Sequence, residues 1–474
     1  MSRLLIGGSR SENGGNGAGI GGRSGGTRRR CPFPPAASAR LGAVPRTTVV
    51  PLSSFPFRGF RVFRIRQILN SKAKNQKLVA ALLDWFGTHA RDLPWRRTRD
   101  PYAIWVSEIM LQQTQVKTVI PFWERWLREL PTIEAAAKAS SAKIHKLWEG
   151  LGYYTRVRNL QKAAQQIVAN GKQKVESGDS VCRFPENFDD VLALPGIGRY
   201  TAGAICSIAF NQPVPILDGN VIRVLTRIFG IAENPKEKQT NARLWQLAEE
   251  LVTHASRLGS VRGSRREDAQ TSKAESGKQK AEICQSLLTS AATIQGSCSA
   301  LNQSLMELGA LICSPRNAQC LICPVQKLCV AFAENRVDEL PNLGKRETAT
   351  ARHFLAFAVE CGGKLLVQQR PAGAVNAQLW EFPNVEITGT KPDRRKLFKN
   401  IFDIAPPEIQ RLCTVKHSIT RYRITLEAFA VRVKNVSART DAVWKTPAQL
   451  QQLAFTAAHK KLASAAVKSI LSDR

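Results

Sequence analysis

Leu194-Pro195-Gly196-Ile197-Gly198-Arg199-Tyr200-Thr201-Ala202 reads as a tight turn opening a helix. Two glycines flank one apolar residue, and the helix that follows begins with small and polar side chains. Such a turn bares backbone N–H groups at a helix N-terminus, where the dipole also favours an anion. It can press against a phosphate without reading sequence. A short Gly-x-Gly is weak evidence alone. Here a helical pattern over 189–194 precedes it and completes a helix–hairpin–helix.

Outward from the hairpin the spacing stays helical. Folded sequence is expected from Gln76, with Leu78, Leu82, Leu83 and Phe86 on one stripe. Asp100-Pro101 marks a helix start, with Asp at the cap and Pro at the first helical position. Helical patterns cover 101–128, 133–148, 155–169, 199–210, 221–229, 241–253 and 301–312. The stretch Arg257–Lys280 is polar and charged, and residues 256–298 are expected to loop from the surface as an insertion with a short helix near 281–294. Scarcely any strand pattern precedes residue 350. From Phe354 the grammar changes: FLAFAVE, KLLVQQR and RITLEAFAVRV alternate like strands, while 450–453 and 460–471 look helical. The expectation is an all-α domain over 76–333, a linker over 334–350 and an α/β domain over 351–474.

Charge points to a polyanion. The 474 residues carry 69 Lys+Arg against 37 Asp+Glu, a formal net charge of +32, which suits nucleic acid first and an anionic membrane surface second. No apolar run approaches 18 residues, so no spanning helix is expected. Residues 1–70 hold twelve Arg, no Lys and the single acid Glu12, contributing +11. That Gly- and Ser-rich stretch is expected to be a disordered basic extension. It reads equally as a transit peptide, a DNA-binding arm or a plain tail. No secretory signal is evident, which leaves the cytoplasm, in association with the nucleoid, as the default compartment, and an organelle if the extension is a transit peptide.

Three further features carry chemistry. Cys313-x6-Cys320-x2-Cys323-x5-Cys329 places four thiols within 17 residues. Such sites hold Zn²⁺ or a [4Fe–4S] cluster, and spacing does not separate the two. In Pro215-Ile216-Leu217-Asp218-Gly219-Asn220-Val221 the commonest duty of Asp218 is an N-cap. Its alternative is a carboxylate at a cleft rim that stabilises developing positive charge. Glu108 sits in Trp105-Val106-Ser107-Glu108-Ile109-Met110-Leu111-Gln112-Gln113-Thr114 among apolar neighbours that would raise its pKa and suit it to act as an acid. The bland alternative is a Glu bordering a buried face. Gln112 and Gln113 put amides near a helix end, within reach of base edges.

Together Leu93-Pro94-Trp95-Arg96, SEIMLQQTQV, GLGYYTRVRNL, LPGIGRYTAGAI, PILDGNVIRVLTR and the Cys cluster resemble the adenine DNA glycosylases of the MutY family, within the helix–hairpin–helix glycosylase superfamily. The resemblance covers roughly 76–333 apart from the insertion and continues weakly through 350–470. It implies an all-α glycosylase domain with a [4Fe–4S] loop held by Cys313, Cys320, Cys323 and Cys329, followed by an α/β nudix-like domain. The implied enzyme removes adenine mispaired with 8-oxoguanine or guanine in double-stranded DNA, flipping the base into a cleft, and acts as a monomer. Glu108 matches the acid that protonates adenine N7, and Asp218 the carboxylate that stabilises the sugar oxocarbenium ion. Tyr200 and Asn220 match assisting residues. Gln113 and Tyr153 match side chains inserted into the duplex, and Pro195, Gly196, Ile197 and Gly198 the phosphate-binding hairpin. Tyr154 is either a DNA contact or aromatic core. Endonuclease III enzymes carry a Lys where Tyr200 stands, and use it for a Schiff base; Tyr200 implies a monofunctional enzyme. A bifunctional endonuclease III-like lyase, or a non-catalytic Fe–S protein that binds DNA, is the rival reading. In the C-terminal part the family's Phe-Ser-His loop is replaced by Ile419-Thr420-Arg421, leaving Thr420 as a hydroxyl donor. The acidic box of nudix hydrolases is missing, which implies recognition without hydrolysis.

Overall fold

The computed structural model describes residues 57–174, 183–271, 297–344, 348–388, 392–419, 421–434 and 442–472. Helix α1 (Phe57–His89) carries the Leu78–Phe86 stripe but starts far upstream of Gln76, because no Gly or Pro interrupts residues 60–86. Of the extension expected over 1–70, residues 1–56 lie outside the described residues and 57–70 belong to α1.

Helix α2 (Pro101–Leu111) begins as its sequence dictates: Asp100 accepts the N–H groups of Tyr102 and Ala103, with Pro101 at the first position. Everything from Tyr102 to Met110 is buried, so α2 is a central strut rather than an amphipathic surface helix. The single run expected over 101–128 breaks after Leu111, where Gln113 adopts φ +57°; the chain resumes as α3 (Val116–Glu129). Then follow α4 (Ile133–Lys138), α5 (Ser141–Trp148), α6 (Thr155–Lys174), α7 (Phe188–Leu192) and α8 (Arg199–Phe210).

Two apolar cores form. One gathers α2 to α8 around Trp105, Trp126 and Trp148. The other joins the C-terminal half of α1 to α9 (Gly219–Phe229), α10 (Lys238–Thr271) and α11 (Ser297–Leu311). Helix α8 is the wall between them: Ala202, Ile205 and Cys206 pack into the first core and Ala204 into the second. Gly203 permits this. A Cβ there would lie 2.4 Å from the Pro215 carbonyl oxygen, so only glycine lets the segment leading to Asp218 press against α8.

The insertion expected over 256–298 is corrected at both ends. Helix α10 continues to Thr271, since Arg, Ser, Glu, Asp and Gln in this stretch are tolerated on a solvated helix. Helix α11 begins at Ser297, and Cys298 is fully packed in the second core. The short helix expected near 281–294 lies outside the described residues. No strand occurs before residue 350 among the described residues. Helix α12 (Val330–Ala333) follows the cysteine loop.

Beyond it, strands β1 (Thr350–Cys361), β2 (Lys364–Gln369) and β6 (Tyr422–Arg432) are the three alternating runs of the sequence. Among the described residues β3 (Trp380–Glu381), β4 (Asn384–Ile387), β5 (Gln410–Ile419) and β7 (Ala442–Lys445) join them in a seven-stranded sheet of order β3-β2-β1-β6-β5, with β4 on β1 and β7 on β2. Strand β1 pairs parallel with β6, from Thr350 opposite Tyr422 to Glu360 opposite Arg432. Period-two alternation sends Leu355, Phe357 and Val359 towards α13 (Arg394–Phe402), and Ala356 and Ala358 towards α14 (Pro447–Gln452) and α15 (Ala457–Ser472). Among the described residues no helix is long and apolar enough to cross a membrane.

Candidate active site

Where the two helical cores meet, a cleft of about 660 Å³ opens. It brings together Glu108 from α2, Tyr200 from α8, and Asp218 and Asn220 from the start of α9. Glu108 is 5% exposed. Burial pushes its pKa up to about 7; the Tyr200 hydrogen bond and Arg96 pull it down, while the charge of Asp218 pushes it further up. The Tyr200 hydroxyl donates to Glu108 Oε2 at 2.8 Å. Burial, with the two carboxylates beside it, raises the Tyr200 phenol well above its ordinary value, so it stays a neutral donor.

Asp218 fulfils both of its sequence readings. Its Oδ1 caps α9, accepting the Val221 N–H at 2.7 Å. The other oxygen accepts Asn220 Nδ2 at 3.0 Å, and the residue lines the cleft. Burial raises its pKa against these hydrogen bonds. Asn220 is itself fixed by Arg223 Nη2 at 2.8 Å, and that guanidinium also donates to the carbonyls of Gly309 and Cys313. Tyr200 stands beside Asp218 as well, but its hydroxyl donates to Glu108.

Sequence reasoning missed the far wall. Glu307 is 1% exposed and takes Arg91 Nη2 at 2.6 Å and Arg96 Nη2 at 3.0 Å. Burial pushes its pKa up, but the two guanidinium groups hold it down at about 2. The cleft therefore pairs one carboxyl kept near its proton with another kept ionised. Arg96 belongs to the Leu93-Pro94-Trp95-Arg96 string, yet nothing in that string names a partner more than 200 residues away.

The residues expected to enter the duplex differ in exposure. Gln113 is exposed, and Tyr153 is 42% exposed whereas Tyr154 is 4% exposed, which places Tyr154 in the core. One residue ties both rims together. Arg156 Nη1 donates to the carbonyls of Ile109, Met110 and Gln112, and Nη2 to those of Leu151 and Gly152. Gln112 Nε2 reaches Thr201 Oγ1 at 3.4 Å.

In the hairpin, Gly196 and Gly198 are exposed, Pro195 is half-buried, and the N–H groups of both glycines have no protein acceptor among the described residues. Ile197 departs from its expected place at the DNA face: its side chain is buried in the first core and its N–H bonds the Leu194 carbonyl. An apolar side chain anchors the turn, leaving the glycines outside. Gly196 has φ +77°, and a Cβ would meet Asn159 Cβ at 2.5 Å. Gly196→Ala should lower the melting temperature by several degrees, with a strain cost of about 1–3 kcal/mol, and weaken duplex affinity; calorimetry and fluorescence anisotropy measure the two. Thr420 lies outside the described residues. Its neighbour Arg421 stacks over Tyr422.

The four cysteines line one cavity, together with Arg227 and Val325. Among the described residues no three His, Cys, Asp or Glu side chains are grouped so as to hold a single metal ion.

Residues 106–250 match the HhH-GPD superfamily of base excision DNA repair proteins, and 355–465 match the NUDIX domain. The adenine DNA glycosylase of Homo sapiens is 32% identical over 494 residues, covering 91% of this chain and 79% of that protein. The chain belongs to the adenine DNA glycosylase family. Its relative from Arabidopsis thaliana is 35% identical over 67% of this chain and 49% of its own length. That from Buchnera aphidicola (Schizaphis graminum strain) is 31% identical over 64% and 74%. This adenine DNA glycosylase family member thus joins a helical glycosylase fold to a nudix-like sheet.

Proposed function

We propose that the protein removes adenine opposite 8-oxoguanine or guanine in duplex DNA, as a monofunctional hydrolytic glycosylase. The observation that carries the reading is a buried carboxyl poised near pH 7, Glu108, facing a second carboxylate, Asp218, across one cleft. Adenine leaves poorly as an anion. Glu108 in its protonated form donates to N7 of the flipped base, so a neutral purine departs. Asp218 stabilises the positive charge on the sugar, and water completes hydrolysis. The Tyr200 hydroxyl orients the Glu108 carboxyl, and Asn220 orients Asp218.

No lysine lines the cleft among the described residues. Tyr200, held neutral, offers no amine for an imine, so the abasic site is left intact. Gln113 and Tyr153 enter the duplex, while the amides of Gly196 and Gly198 meet phosphate. Cys313, Cys320, Cys323 and Cys329 form an all-sulfur donor set around one cavity, which fits the [4Fe–4S] cluster implied by the resemblance. A bound cluster would cross-link the loop and supply a one-electron couple.

The test is single-turnover release from A:8-oxoguanine and A:G duplexes, with borohydride added in parallel. Adenine release, no trapped protein–DNA adduct and no strand cleavage before alkali are expected. A borohydride-trapped adduct would put the lyase reading in its place.

A further inference from the structure

The loop Gly150-Leu151-Gly152-Tyr153 is an unusual piece of backbone. Gly150, Gly152 and Tyr153 have φ of +116°, +69° and +49°, a conformation that a tyrosine adopts only under restraint from its surroundings. Part of the restraint is local, from Trp148 Nε1 and Arg156 Nη2 on the Gly152 carbonyl. The rest comes from the other half of the molecule. Glu149, 8% exposed, accepts the Phe455 N–H on Oε1 at 3.1 Å and Lys460 Nζ on Oε2 at 2.7 Å. Lys146 Nζ joins the same oxygen at 2.9 Å and also bonds the Leu453 carbonyl. On the far side of the loop, the Tyr154 hydroxyl donates to the Phe455 carbonyl at 3.4 Å. Both ends of the loop are therefore fastened to one residue of the C-terminal part. Ala454 and Leu379, from that same part, are buried in the first helical core.

We infer that Glu149 is a positioning residue through which the C-terminal part sets the posture of Tyr153 for entry into the duplex. A carboxylate this buried is tolerated only while its cations stay in place. Any shift of the segment carrying Phe455 and Lys460 therefore moves the start of the loop. Motion of the C-terminal part and insertion by Tyr153 are mechanically coupled at this point. The inference rests on Tyr153 being the inserted side chain, as proposed above.

The test is a double-mutant cycle on the full chain, read by adenine release and by fluorescence of 2-aminopurine placed beside 8-oxoguanine. The fluorescence reports unstacking independently of cleavage. Glu149→Ala should slow release about tenfold and reduce unstacking in the parent, but alter both by less than about twofold in a Tyr153→Ala background. Glu149→Gln should fall between the two. Lys460→Met, at a side chain 55% exposed, should repeat the pattern more weakly, and it keeps the test open should Glu149→Ala fold poorly. Equal losses in both backgrounds, or no loss in the parent, overturn the coupling. Tyr153→Ala without effect on unstacking defeats instead the reading of Tyr153 as the inserted residue.

Discussion

Replacing Glu108 by Gln is expected to abolish adenine release while making the protein more stable above pH 7. The loss follows from removing a carboxylic acid poised to give up its proton near neutrality. General acids are worth about 100- to 10,000-fold, and an amide cannot substitute. The gain in stability follows from linkage. Folding raises the Glu108 pKa from 4.5 to about 7, so the folded state resists ionisation more than the unfolded chain does. The cost is absent below pH 4.5, grows through the interval and is fully present above 7, where it reaches on the order of 3 kcal/mol. Gln is neutral at every pH. The variant should therefore melt a few degrees above the parent at pH 8, with the gap closing towards pH 4.5. In the parent, release should decline as pH rises through about 7. Undiminished release by the variant would remove Glu108 from the chemistry.

That trade also explains which features the sequence made legible. The hairpin, the four cysteines, Glu108 and Asp218 announce themselves locally: a Gly spacing, a thiol spacing, an ionisable group among apolar neighbours, a carboxylate at a helix start. Period-two runs gave β1, β2 and β6 for the same reason. Long-range ion pairs have no such signature. Arg91 meets Glu307 across 216 positions, and Glu149 meets Lys460 across 311; each is an ordinary surface residue to a sequence reader. Arg156 was hidden because its five acceptors are backbone carbonyls, which any sequence supplies. The polar start of the insertion misled in the opposite direction, because polarity excludes burial but not helix, and α10 ran on through it to Thr271. Ile197 misled for a related reason: a turn that exposes two glycines needs an apolar anchor between them.

Asp218→Asn separates the two duties that this residue performs, and should do so with a large fall in rate and a small change in stability. Asn caps helices about as well as Asp, so the Val221 N–H keeps an acceptor. What is lost is the second oxygen, which now receives Asn220 Nδ2; an amide NH2 would face that donor instead. The cost of one such hydrogen bond at a half-buried position is about 1 kcal/mol, a shift of a few degrees in melting temperature. The electrostatic loss is far larger. A negative charge aimed at a forming oxocarbenium ion contributes only as the bond breaks, and deleting a comparable preorganised group costs on the order of 100- to 1,000-fold. Duplex affinity should hold or tighten, since a carboxylate facing a polyanion opposes binding. Single-turnover release, calorimetry and anisotropy at one fixed salt concentration distinguish the outcomes. If rate and stability fall together by comparable free energies, Asp218 is a cap and nothing more. If rate alone collapses, the charge at the cleft rim is what the fold, through Gly203 and the α9 terminus, holds in place.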